Sequence, residues 1–149
     1  MNRLREKIVV GCSVQQTEAR LASYFARLRG NNGIARLRLR VPVVADGFAL
    51  SIDREVIVEA HQARDDDNLN VITHLSWTPE GSVVFPLFEG TLTVFGESEL
   101  STSFIELAGH YKPPFGSAGE AFDAVIGHRI AETTARELLG DLKQAVERD

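Results

Sequence analysis

Few side chains in this sequence could carry chemistry, and they are scattered. The four histidines, His61, His74, His110 and His128, never fall within five residues of one another, and Cys12 is the single cysteine. A zinc site is marked by closely spaced cysteine and histidine pairs, so this spacing implies no metal. The acidic run Asp65, Asp66, Asp67 lacks the glycine and closing glutamate of a calcium loop and reads as a solvated turn. There is no Gly-x-Ser-x-Gly elbow, phosphate loop or dinucleotide fingerprint, so no cofactor is implied. Two groups remain that could handle a proton or orient a bound molecule. Tyr111 alternates onto the face of Ile105 and Leu107, and His128 sits among small residues. Glu89 and Glu106 alternate away from the apolar faces and would matter as acid or base only if buried. No paired acid and base emerges, so catalytic residues stay unassigned and binding is favoured over catalysis.

The elements that must place these groups follow from periodicity. Residues 5–14 read as a strand holding Cys12, whose thiol is expected to be buried and inert. In "TEARLASYFARLRG", Thr17 is the expected N-cap and Leu21, Phe25 and Leu28 fall on one helical face. Gly30 is expected to stop that helix, with "GNNG" as a loop. The period then becomes two. Strands are predicted over 35–44 and 50–62, with a turn at "RDDDN". Leu69, Val71, Thr73, Leu75 and Trp77 share a face, and "TPEG" turns the chain again. Phe88, Gly90, Leu92 and Val94 share the next face; Ile105, Leu107 and Tyr111 the last. Short polar connections between such strands imply an antiparallel meander.

Pro113 and Pro114 end the ladder, and Ser117 with Glu120 forms a capping box for a helix running to about Arg148. One side of that helix carries Ala121, Ala124, His128, Ala131 and Ala135 before Leu138 and Leu142. Small residues at the start of a core-facing stripe have two readings. They line a hollow, or they let helix and sheet backbones approach closely. Phe122, Val125, Ile126 and Ile130 point to other sides and need cover, as does the Val and Ile mixture of "REVIVEA". A homodimer is the expected cover.

Composition narrows the class. With 44% hydrophobic and 25% charged residues, the 149-residue chain reads as one ordinary globular domain. No apolar run approaches the roughly 18 residues of a membrane span, and the opening "MNRLREKIVV" carries no secretion signal, so a cytoplasmic protein is expected. Residues 1–50 carry nine basic and three acidic side chains and the remainder seven and eighteen, for a net charge of −5. An acidic whole argues against nucleic acid as partner. Arg36, Arg38 and Arg40 alternate with Leu37, Leu39 and Val41 as the wet face of a strand, which could also meet an anionic partner.

Element order, with the segment "FPLFEGTLTVFG…FIELAGHYKPPFGSAGEAFD", resembles the START-like (SRPBCC) superfamily: the helix-grip fold of polyketide cyclases, plant pathogenesis-related lipid binders and coenzyme Q-binding proteins. The resemblance spans nearly the whole chain. It implies an α+β domain over 1–149, in which a curved antiparallel sheet of about six strands wraps a long C-terminal helix. The chain shows one helical segment after the first strand, where many relatives have two. The resemblance also implies a cavity between sheet and helix for a small apolar or amphipathic ligand. Leu75, Trp77, Phe88, Leu92, Leu107, Tyr111, Ala124, His128 and Ala131 are the expected lining. A cyclase or dehydratase using His128 or Tyr111, and an interaction module without ligand, are the alternatives.

Overall fold

The computed structural model describes residues 2–44, 51–64, 71–79, 87–97, 99–112 and 120–148. Over 41–44, 51–56, 63–64, 71, 78–79, 120–127 and 130 it describes the backbone alone. In chain order the elements are β1 (Asn2–Val10), α1 (Val14–Leu28), β2 (Ala35–Val44), β3 (Ser51–Arg64), β4 (Val71–Pro79), β5 (Leu87–Phe95), β6 (Ser103–Lys112) and α2 (Glu120–Glu147). The strands form one antiparallel sheet in the order β1-β6-β5-β4-β3-β2, curved around α2. The expected α+β helix-grip architecture is present. Five consecutive strands form the meander, and β1 returns to pair with the last of them.

Local signals near the start of the chain differ from expectation. Strand β1 ends at Val10, and Cys12 lies in the turn after it, buried. The N-cap of α1 is Ser13 and not Thr17. The Ser13 hydroxyl accepts from the Gln16 N–H at 3.2 Å, and the Gln16 side chain accepts from the Ser13 N–H at 3.4 Å. That reciprocal pair satisfies two orphan donors, so the helix starts one turn early. Thr17 is instead fully buried, its hydroxyl 2.8 Å from that of Ser103. Gly30 is not the stop either: α1 ends at Leu28 with Arg29 extended, and the left-handed backbone is at Gly33, with φ of 78°. At the other end of the sheet, β4 runs through Pro79. The predicted cap Ser117, the "RDDDN" turn and Leu69 lie outside the described residues.

The core lies between the inner face of the sheet and the second half of α2. Ala131, Thr134, Ala135, Leu138, Leu142 and Val146 follow one another at helical spacing and are all fully buried. They meet Val10, Leu92, Ile105 and Leu107 from the sheet and Leu21 and Phe25 from α1 in one cluster. Polar ties fix the end of α2 against the first turn of the chain. Gly11 N–H donates to Glu147 Oε1 at 2.9 Å, and Arg20 Nη1 donates to the Val146 carbonyl at 2.8 Å. Among the described residues no helix is long and apolar enough to cross a membrane.

Candidate ligand-binding site

The register aligns the inner-facing side chains in rows across the strands. One row reads Val58, Trp77, Phe88, Tyr111. Trp77 and Phe88 stack at 4.1 Å with 15° between their planes. The row beside it reads Ala60, Leu75, Gly90, Gly109, Leu4. The two glycines make room for the Phe88 ring. A β-carbon at Gly90 would stand 2.5 Å from Phe88 Cζ, and one at Gly109 would stand 2.7 Å away. Each would also meet the neighbouring strand's carbonyl, Ala108 O or Glu89 O. No side chain fits in either place.

Tyr111 closes the aromatic row toward α2. Its hydroxyl lies 2.9 Å from His128 Nδ1, and His128 Nε2 lies 2.8 Å from Glu132 Oε1. In a neutral imidazole a proton on Nε2 is donated to the Glu132 carboxylate and Nδ1 accepts from the Tyr111 O–H; an imidazolium would donate to both. Glu132 Oε2 is also 3.7 Å from Arg136, which sits 3.6 Å from Glu6 on β1. Burial, and then the Glu132 carboxylate, raise the Tyr111 phenol above its ordinary value of 10.0. The phenol is therefore a neutral donor at physiological pH.

The structure brings most of the expected residues to one surface. Leu75, Trp77, Phe88, Leu92, Leu107, Tyr111 and Ala131 are all buried, and His128 is half-buried beside Tyr111. The side chain of Ala124 lies outside the described residues. Ala131 and Ala135 are 0% exposed, so no water-sized space touches them. At this end of the stripe the small residues serve close packing. Two features escaped the sequence reading. Glu132 completes the Tyr111–His128 chain; its spacing of four from His128 was the available signal. The indole N–H of Trp77 is buried and has no hydrogen-bond partner among the described residues. Only the folded packing could reveal that.

A hollow lies on the opposite, outer face. It measures about 800 Å³ and spans β3 to β6, with His61, His74, Glu89, Thr91, His110 and Lys112 among its lining. Leu75 and Phe88 also border it, although their side chains are buried on the inner face, so the sheet itself forms its floor.

No protein-family model matches the chain, and no curated protein does. Solved structures match over nearly the whole chain. The Zhui aromatase/cyclase from Streptomyces sp. R1128 superposes with a TM-score of 0.62 at 11% identity, covering 99% of this chain and 94% of that one. The fold is START-like. TTHA0849 from Thermus thermophilus follows at 0.59 and 15% identity, with 97% of each chain covered. A START superfamily protein from Mycobacterium smegmatis is similar at 0.48 and 12%, covering 95% and 97%. At such identities a START-like likeness concerns the fold.

Proposed function

We propose that residues 1–149 act as a single START-like unit that holds a small apolar or amphipathic molecule between the inner face of the sheet and the first half of α2, without transforming it. The site then lies beyond His128 toward the start of the helix, since the stripe is packed shut from Ala131 onward. The Trp77 N–H, without a partner among the described residues, carries this reading; its residue is only 1% exposed, so a ligand reaches it by displacing packed side chains. A buried donor without a partner costs about 1–3 kcal/mol, and an oxygen on a bound molecule would remove that cost. Tyr111 adds a complementary group. When its proton is donated to a neutral His128, the phenol oxygen keeps a lone pair that can accept. An apolar wall with one donor and one acceptor suits a mostly hydrocarbon molecule bearing one or two oxygen functions.

Native mass spectrometry of freshly purified protein tests this directly, and Trp77, the only tryptophan, reports on the site. A co-purifying apolar molecule whose removal shifts the indole emission is the expected result. Protein that emerges empty, with indole emission unmoved by added apolar probes, would count against it.

The Tyr111–His128–Glu132 chain favours a second reading, a cyclase or dehydratase in which the phenol moves a proton. A mass change in the co-purified molecule on prolonged incubation, abolished in Tyr111→Phe, would select it. For self-association, the outer-face row Val9, Phe104, Phe95, with Val9 and Phe95 exposed and Phe104 half-buried between them, is the surface on which we propose a homodimer closes. The buried, unpaired Cys12 suits the cytoplasmic location we propose.

A further inference from the structure

The outer hollow holds a feature that ligand binding on the inner face does not use. His61 on β3 and His74 on β4 are directly opposite each other in the register and both are exposed on the outer face. Directly opposed residues of an antiparallel pair have β-carbons about 4.5–5.5 Å apart. Neither imidazole makes a hydrogen bond or ion pair with any described residue. Both border the same hollow of about 800 Å³. Two free imidazoles at this separation can turn one nitrogen each toward a shared point by side-chain rotation alone. Metal–nitrogen bonds of about 2.0–2.1 Å then fit between them without backbone movement.

Two carboxylates on the same face favour a cation, against the ammonium of Lys112 in the hollow's lining. Glu59 and Glu89 sit one row along on the same face, each opposite Ser76. Glu59 is engaged by Arg36 at 3.3 Å, whereas Glu89 has no ion-pair partner among the described residues. No group of three or more ligating side chains converges among the described residues. The chain therefore supplies two nitrogen donors, and the hollow leaves the other coordination positions to water or to a small chelating molecule.

We propose that His61 and His74 chelate one divalent transition ion of borderline softness, such as zinc, nickel or copper, on the outer face of the sheet. Imidazole suits these ions, and hard cations such as magnesium and calcium prefer oxygen donors.

Titration of the full chain with zinc chloride and with nickel chloride, in a buffer that does not bind metals, tests the proposal. The expected result is one saturable ion per chain. His61→Ala and His74→Ala should each weaken it at least tenfold, while His110→Ala, on the next row, should stay within twofold. Magnesium chloride should not compete. All three side chains are exposed, so the variants should keep the parent circular dichroism spectrum, which checks folding. Absence of saturable binding overturns the proposal. So does binding that survives loss of either His61 or His74, or that falls as far in His110→Ala.

Discussion

The same strands present two different surfaces. On the inner face, Leu75, Trp77, Phe88, Leu92, Leu107 and Tyr111 are dry, and among the described residues the one buried side-chain polar atom without a partner is the Trp77 N–H. On the outer face their neighbours in sequence, His74, Ser76, Glu89, Thr91 and His110, meet solvent around a broad hollow. One residue of displacement along a strand thus changes the environment completely. Inner-face residues are constrained by shape, since each must fit a packed wall. Outer-face residues meet solvent and escape that constraint.

Substitutions at adjacent positions should separate the two faces. Leu92→Ala should lose about 2–5 kcal/mol of stability, because it empties part of the core. Thr91→Ala, one residue away on the other face, should stay within about 0.5 kcal/mol. Equal losses in denaturant titrations would dissolve the distinction. Gly109→Ala should cost about 1–3 kcal/mol, since its methyl group collides with the Phe88 ring and the neighbouring strand. Ala108→Ser on the outer face should be near neutral. A harmless Gly109→Ala would mean that the ring moves aside and the inner wall is looser than its packing implies.

Trp77→Phe sharpens the contrast in another way. It removes volume but also removes an unsatisfied donor, so the two effects oppose each other and the net loss should stay below about 1 kcal/mol in the ligand-free protein. A loss typical of core truncation would show that the N–H has a partner in solution.

The phenols give a pH test. Burial is the main cause raising both tyrosines, Tyr24 and Tyr111, above 10.0. A raised folded-state value keeps its stabilising contribution intact below the ordinary value and loses it as pH climbs through the folded one. Ultraviolet titration should therefore place both phenol midpoints above 10.0 while the fold persists. A phenol titrating normally would place that ring in water.

The smallest effect should come from Asp141 on α2, an exposed residue whose carboxyl is raised above 3.8 by partial desolvation. The folded state then binds its proton more tightly than the unfolded chain, so this group's contribution falls as pH rises through 3.8 to the folded value. Asp141→Asn should raise the denaturation midpoint slightly at neutral pH, with the gain vanishing below pH 3.8. A gain persisting in acid would assign the effect to something other than charge.

Much of this was readable before folding, and the reasons are local. Alternation in "LSWTP" and "FEGTLTVF" marks which side chains go inward whatever the sheet order, because a strand cannot present neighbours to the same face. The start of α1 was misplaced because Ser13 and Thr17 both head plausible caps, and only the packing of Thr17 against Ser103 decides between them. The Tyr111–His128 bond depends on how α2 crosses the end of β6, which no spacing rule fixes. The facing of His61 and His74 depends on the register of β3 against β4, where a one-residue slip would send one of them inward.

The ties between Gly11 and Glu147, and between Arg20 and Val146, carry a kinetic consequence. Strand β1 takes its place in the sheet beside β6, about a hundred residues later, and its turn is locked by the last residues of α2. A ribosome making this chain releases β1 and α1 long before their partners exist. They must wait, with Val10, Leu21 and Phe25 uncovered, until β6 and α2 emerge. The high sequence separation of these contacts implies slow, late closure of the sheet, with the meander β2–β6 able to assemble first.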